Sequence, residues 1–401
     1  MNFSPLLVNM CIIGRYKKRI FMKIVIAPDS FKESLSAIEV ASAIEAGFKA
    51  IYPYAKYVKV PMADGGEGTV QAMVDATSGQ IVKTNVKNPL GKDITSFYGI
   101  LGDEKTAVIE MAAACGLDLL KENEKNPFNT STYGFGELII HALDQGITNF
   151  IFGLGGSATN DAGVGMLQAL GVKFYNEKHE EIGFGAKFIK EMLNIDASHL
   201  DKRLENCTIR VACDVTNPLC GPTGASHTFG KQKGANEQMR EELDHSLGHF
   251  AKLCENKLDK FDNQASQAQG SGAAGGLGFA LMTFLHVELK SGIDTVLNQI
   301  HLEEEFKDAS LVITGEGKMD CQTIYGKTPV GVALLAKKYD LPVIAICGAL
   351  EEGYEVVYEY GIDAVFNTIA KPEPLSDILK NAKQNLQSTS RNIAKILKLQ
   401  F

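Results

Sequence analysis

The sequence predicts an α/β protein, a Rossmann-like doubly wound parallel sheet domain interrupted by an inserted mixed α/β domain. Three observations carry this expectation. Near both ends of the chain, continuous apolar runs such as Lys23-Ile-Val-Ile-Ala27 and Leu311-Val-Ile-Thr314 alternate with amphipathic stretches. Strands covered by helices on both faces read this way. From 80 to 115 the rhythm changes to three β runs in succession, and after about residue 285 the βα alternation returns. The expected domains are residues 22–79 plus 285–401 as one discontinuous domain and 80–284 as the insertion, with 1–21 as an N-terminal extension.

The elements follow in order. After Lys23–Ala27, Ser36 with Glu39 three residues on forms a capping box that opens an amphipathic helix to about Ala50. Tyr57–Met62 is a second strand, with Ala63–Gly68 as its exit loop, and Val70–Ala76 is a helix closed by Gly79. The three β runs are Gln80–Lys87, Asp93–Ile100 and Thr106–Met111, an antiparallel unit with Asn88-Pro-Leu-Gly91 and Gly102-Asp103 as turns. Helices over 134–145 and 160–170 flank a strand at Phe150, and Thr208–Cys213 is a further buried strand. Asn236–Lys257 is a long charged helix, and 262–278 is a linker or binding loop rich in Gly, Ser and Gln. Thr328-Pro329 supplies an N-cap and an N1 proline for a helix to Lys338, followed by strands Val343–Cys347 and Ala364–Asn367.

Composition bounds the partners. The 401 residues are 45% hydrophobic and 22% charged, as in an ordinary globular protein with a core of its own. A net charge of −8 disfavours nucleic acid, so an anionic ligand must be drawn by local donors. None of the eight cysteines forms a C-x-x-C pair, and most lie in apolar segments, which points to reduced thiols and a cytoplasmic protein. Pro5–Ile13 is too short to span a bilayer, and its charges, Arg15 to Arg19, follow it rather than precede it. No membrane partner is expected. Residues 1–21 read as the product of a start codon upstream of Met22.

Five loops share one chemical logic. They are Pro28–Lys32, Asp64–Gly68, Gly155–Asp161, Asp214–Asn217 and Gly315–Asp320, and each follows the carboxyl end of an apolar run. Open α/β sheets bind ligands at those ends. Carboxylates there, mixed with glycines and lysines, suit nucleotide phosphates and magnesium. The run Asn149–Phe152 into Gly153–Gly165 reads as a strand, a glycine-rich anion cradle and a helix start. Gly153–Ala158 also fits a relaxed dinucleotide fingerprint, but Gly270–Gly275 fits G-x-G-x-x-G with no strand before it. Gly326-Lys-Thr328 lacks the upstream glycine of a Walker A motif, Cys321 standing in that position. His141, His245 and His249 lie on helical patterns as surface or packing residues.

Lys23–Ala37, Ala63–Thr69, Gly155–Asp161, Cys213–Leu219 and Ile313–Gly317 together resemble the signature blocks of the type 1 glycerate kinases. The likeness runs from Met22 to about Ala394, and residues 1–21 have no counterpart in the family. It implies ATP-dependent phosphorylation of D-glycerate with Mg2+, commonly at the 2-hydroxyl, in a cleft between a Rossmann-like domain and an inserted one. On that resemblance Asp29, Asp64 and Asp214 compete for the general base, and Lys32 neutralises the phosphoryl group or the glycerate carboxylate. Gly155, Gly156, Ser157, Asn160, Gly315, Glu316, Gly317 and Lys327 are expected at the nucleotide phosphates, and Glu316 and Asp320 at the metal. Ser30, Gly65, Gly66, Asn217, Gly275 and Gly276 are expected at glycerate. Whether the 153–165 loop grips ATP or glycerate stays open, as does monomer or homodimer. Two rival readings are an NAD(P)-dependent oxidoreductase of a small hydroxy acid and a non-catalytic organic-acid sensor.

Overall fold

The computed structural model describes residues 22–258 and 264–399, so the expected extension 1–21 lies outside the described residues. They form two compact units, one of residues 64–296 and one of residues 22–63 together with 297–399. No helix among the described residues is long and apolar enough to cross a membrane.

The discontinuous unit is built on a five-stranded sheet in the order Ala364–Asn367, Val343–Cys347, Leu311–Thr314, Lys23–Ile26, Lys56–Lys59. Every pairing in it is parallel. Numbered along the chain this is the 2-1-3-4-5 doubly wound order, whose switch point lies between Lys23–Ile26 and Leu311–Thr314. Both of those strands are fully buried, as their unbroken apolar runs require. Ile24, Ile26, Ile313 and Ile346 form the core with Ile44 and Phe48 of helix Ala37–Lys49 and Leu386 and Ile393 of helix Ala382–Leu397. The capping box is formed, with Ser36 N–H donating to Glu39 Oε2 at 3.0 Å.

Residues 64–296 hold a six-stranded mixed sheet in the order Leu289–Lys290, Thr208–Ala212, Asn149–Gly153, Thr106–Glu110, Asp93–Ile100, Gln80–Lys87. The last three strands are antiparallel, as the uninterrupted β runs predict, and the others are joined in parallel. Phe135, Phe150, Phe152, Phe174, Phe250 and Phe279 fill its core.

The unit boundaries fall at 63/64 and 296/297 rather than at the expected 79/80 and 284/285. Helix Thr69–Thr77 packs on strands Asp93–Ile100 and Thr106–Glu110, and Val70 N–H donates to the buried Glu110 Oε1 at 2.8 Å. Strand Leu289–Lys290 pairs with Thr208–Ala212. Both segments therefore go with the mixed sheet. Two further expectations need correction. The helix placed at 160–170 spans only Val164–Ala169. The described part of 262–278 is no linker, because helix Ala273–Leu285 begins inside it and is buried along most of its length.

Candidate active site

At the carboxyl ends of strands Asn149–Gly153 and Thr208–Ala212, the 64–296 unit has a cavity of about 220 Å³. It is lined by Asp64, Gly65 and Gly66, by Leu154–Ser157, by Ala212–Val215, and by Phe229, Gln232, Lys233, Ala273 and Ala274. Three of the five acidic or glycine-rich loops thus meet at one cavity. Gly65 lets them approach: its φ is 92°, and a Cβ there would lie 3.0 Å from Ala212 Cβ and from Gly292 Cα.

Two carboxylates and one amine define the chemistry. Asp214 Oδ1 accepts from Gly292 N–H at 2.9 Å. The residue is exposed at the cavity mouth, yet its carboxyl group is partly buried. That burial, with negative charge from Asp64 and Asp294, raises Asp214 to about 6 against the pull of the Gly292 bond. Asp64 Oδ1 accepts from Gly66 N–H at 3.1 Å. Lys233, only 2% exposed, donates to Ser157 Oγ at 2.8 Å and to Thr159 O at 2.6 Å. Burial pushes this amine down to about 7, opposed by the negative charge of Asp161.

Asp161 changes the reading of the 153–165 cradle. Its Oδ2 accepts from Thr132 N–H at 2.8 Å, Thr132 Oγ1 at 2.9 Å and Gly165 N–H at 3.2 Å, and its Oδ1 from Gly163 N–H at 3.2 Å. The anion at the start of helix Val164–Ala169 is the protein's own. The N–H groups of Gly163 and Gly165 at this helix start are therefore already taken and do not face an external anion.

The second group of predicted residues lies at the switch point of the other unit, where Asp29 N–H donates to Gly315 O at 2.9 Å. Asp29 Oδ2 accepts from Thr328 Oγ1 at 2.9 Å. Thr328 is thus the first helical residue, not the expected N-cap, and its hydroxyl is committed to Asp29. Glu316 Oε1 accepts from Thr323 Oγ1 at 2.7 Å, and Lys327 Nζ lies 3.5 Å from both Glu316 Oε2 and Asp320 Oδ1. Burial raises Glu316 to about 7, with Thr323 and Lys327 opposing and Asp29 adding to the rise.

Among the described residues no group of three or more His, Cys, Asp or Glu could hold a metal. Mg2+, however, needs only one or two carboxylates and draws its other ligands from water and substrate phosphates. Glu316 and Asp320 fit that demand, already sharing one cationic neighbour.

The sequence model of the glycerate kinase family matches residues 24–398. The chain belongs to the glycerate kinase family. It is 55% identical to a glycerate kinase of Haemophilus influenzae, over 95% of this chain and all of that one. It is 54% identical to the glycerate 2-kinase of Escherichia coli, over 94% of this chain and 98% of the relative. A crystal structure provisionally named glycerate kinase 2, from Salmonella typhimurium LT2, superposes with a TM-score of 0.87 at 51% identity, covering 94% and 98% of the two chains.

In this glycerate kinase family member the expected site residues divide sharply. Asp64, Asp214, Gly65, Gly66, Gly155, Gly156 and Ser157 line the cavity. Asp29, with Ser30 N–H on its Oδ1, stands with Gly315, Glu316, Gly317, Asp320 and Lys327 at the switch point, and Lys32 is exposed on the turn beyond. Asn160, Asn217, Gly275 and Gly276 do not line the cavity. Asn160 is buried and donates to Ser226 Oγ at 2.9 Å. Asn217 Nδ2 donates to Thr223 O at 2.7 Å, which ties down its own loop.

Gly275 and Gly276 make a left-handed kink inside helix Ala273–Leu285. At Gly275, φ is 70° and a Cβ would lie 2.0 Å from Thr159 O. Gly275→Ala is therefore expected to cost at least ~2 kcal/mol, from the strained backbone and the displaced 159–161 loop. Urea denaturation of the pair checks this, and a loss under ~0.5 kcal/mol would show that the loop gives way freely. Lys233 is the residue that sequence reasoning missed. Its only sequence signal is Gly230-Lys-Gln-Lys-Gly234, a charged turn between glycines.

Proposed function

We propose that the chain transfers the γ-phosphoryl group of ATP to the 2-hydroxyl of D-glycerate, giving 2-phosphoglycerate and ADP. The observation that carries this reading is the content of the cavity, two carboxylates and one buried lysine. A hydroxy acid has the complementary set, hydroxyls to donate to carboxylates and one carboxylate to meet a cation. The size agrees, since 220 Å³ lies below the ~300–1,000 Å³ of sites for drug-sized ligands and suits a three-carbon acid better than a nucleotide. We therefore assign glycerate, not ATP, to Gly155–Ser157, and the nucleotide phosphates to the Gly315–Asp320 loop and Lys327.

In the step itself the substrate oxygen forms a bond to the γ-phosphorus while the bond from that phosphorus to the β–γ bridging oxygen breaks. The hydroxyl proton passes to Asp214, which later releases it to solvent. Asp214 suits this part because its carboxylate is held in place by Gly292 and is a stronger base than an ordinary aspartate. Glu316 and Asp320 would hold Mg2+, which when bound neutralises charge on the transferring group.

A coupled assay of ADP release with D-glycerate tests the activity, and proton-coupled phosphorus NMR of the product tests the position. A phosphate on C2 couples to one carbon-bound proton and gives a doublet, whereas one on C3 couples to two and gives a triplet. The doublet is expected. A triplet would move the acceptor to the 3-hydroxyl, and no ADP release would overturn the kinase reading.

A further inference from the structure

We propose that Lys233 is the residue that reads the carboxylate of the substrate, with Ser157 as a second donor that it holds in place. The inference rests on the assignment of glycerate to this cavity.

Lys233 reaches the cavity from a short 3-10 turn, Lys231–Lys233, closed by Gly234 N–H to Lys231 O at 3.1 Å. It is the one cation among the lining residues. A buried ammonium is costly unless its charge is compensated. Yet both its hydrogen-bond acceptors, Ser157 Oγ and Thr159 O, are neutral. They take two of its three donors, and the negative charge of Asp161, claimed by Thr132, Gly163 and Gly165, acts on Lys233 without a hydrogen bond to it. An anionic ligand supplies what is missing. Ser157 Oγ accepts from Lys233, so its own proton is left to donate, and the residue lines the same cavity.

The other charged lining groups, Asp64 and Asp214, repel a carboxylate. The acid end of the substrate therefore turns to Lys233 and Ser157, and its hydroxyls turn to the aspartates. Lys233 then acts as a specificity determinant, separating hydroxy acids from neutral polyols of the same size. A lysine that merely propped the loop Ser157–Thr159 would make no such distinction.

Calorimetric titration with D-glycerate and with its neutral amide, D-glyceramide, separates the two roles. The wild-type protein is expected to bind the acid at least ~10-fold more tightly than the amide, the usual range for charge-assisted hydrogen bonds. Lys233→Met is expected to lose at least ~10-fold in affinity for D-glycerate and to bind the amide within ~3-fold of wild type. Ser157→Ala is expected to show a smaller loss for the acid. Equal loss of acid and amide in Lys233→Met would overturn the inference and leave a propping role. The wild-type ratio needs no variant to fold, and a ratio below ~3 overturns the inference by itself. If the wild type binds no D-glycerate at all, it is the assignment of glycerate to the cavity that fails.

Discussion

Asp214→Asn is expected to lower kcat for glycerate phosphorylation by at least ~100-fold, the usual contribution of a general base. The KM for D-glycerate is expected to change far less. Asparagine keeps the shape and an oxygen to accept from Gly292 N–H, so what disappears is the proton acceptor. The pH profile gives a second readout. Asp214 works as a base only when ionised, and it titrates at about 6, so kcat/KM of the wild type should fall as pH drops through that value. The variant should lack this limb.

Stability should move in the opposite direction. The folded value is raised above the ordinary 3.8, so protonation favours the folded state. That contribution is complete below pH ~4 and is lost as pH rises through about 6. At pH 8 the wild type carries the ionised form that folding disfavours, whereas the neutral variant does not. Asp214→Asn is therefore expected to melt higher than wild type at pH 8 and close to it at pH 4. A loss of turnover below tenfold would move the base to Asp64 or Asp29.

The second large effect is structural. Asp161→Ala is expected to destabilise the protein by about 3–5 kcal/mol, the range for removing one partner of a buried charged network. The carboxylate collects four donors, from Thr132, Gly163 and Gly165, and the substitution leaves all four buried without it. It also removes the negative charge nearest in effect to Lys233. Thermal melting should register a fall in Tm of roughly 6–20 °C. A fall under ~2 °C would mean that water replaces the carboxylate at little cost.

What could be read from the sequence follows the physics of burial. Lys23–Ile26 and Leu311–Thr314 are sandwiched strands, and strands covered on both faces need unbroken apolar runs. Ser36 with Glu39 is legible because a capping box is local, decided within four residues. The loop that opens with Asp214 is legible because it follows the carboxyl end of the parallel strand Thr208–Ala212, where open α/β sheets place ligand loops.

The misses share the opposite property. Lys233 sits in a run that looks solvated, and only the packing of distant segments around Ser157 and Thr159 buries it. Asp161 looks like one more acid in a ligand loop, but Thr132 donors 29 residues away claim it for the fold. Gly275 and Gly276 look like flexible hinge residues, whereas their positive φ serves close packing against Thr159 and Ala162. In each case the residue type was informative and its partner was far along the chain.

The order of the parallel sheet has a consequence for biosynthesis. Ala27 O accepts from Thr314 Oγ1 across a separation of 287 residues, and Lys23–Ile26 lies between Lys56–Lys59 and Leu311–Thr314. At roughly 5–20 residues per second, the strand Lys23–Ile26 waits on the order of 15–60 s for its second neighbour. Meanwhile the contiguous residues 64–296 can complete their own sheet. Through that interval an apolar strand presents one open edge, the feature most prone to wrong pairing between nascent chains. Slow translation of 64–296 lengthens the exposure, so the pace at which that segment is made bears on the yield of a sheet encoded on either side of it.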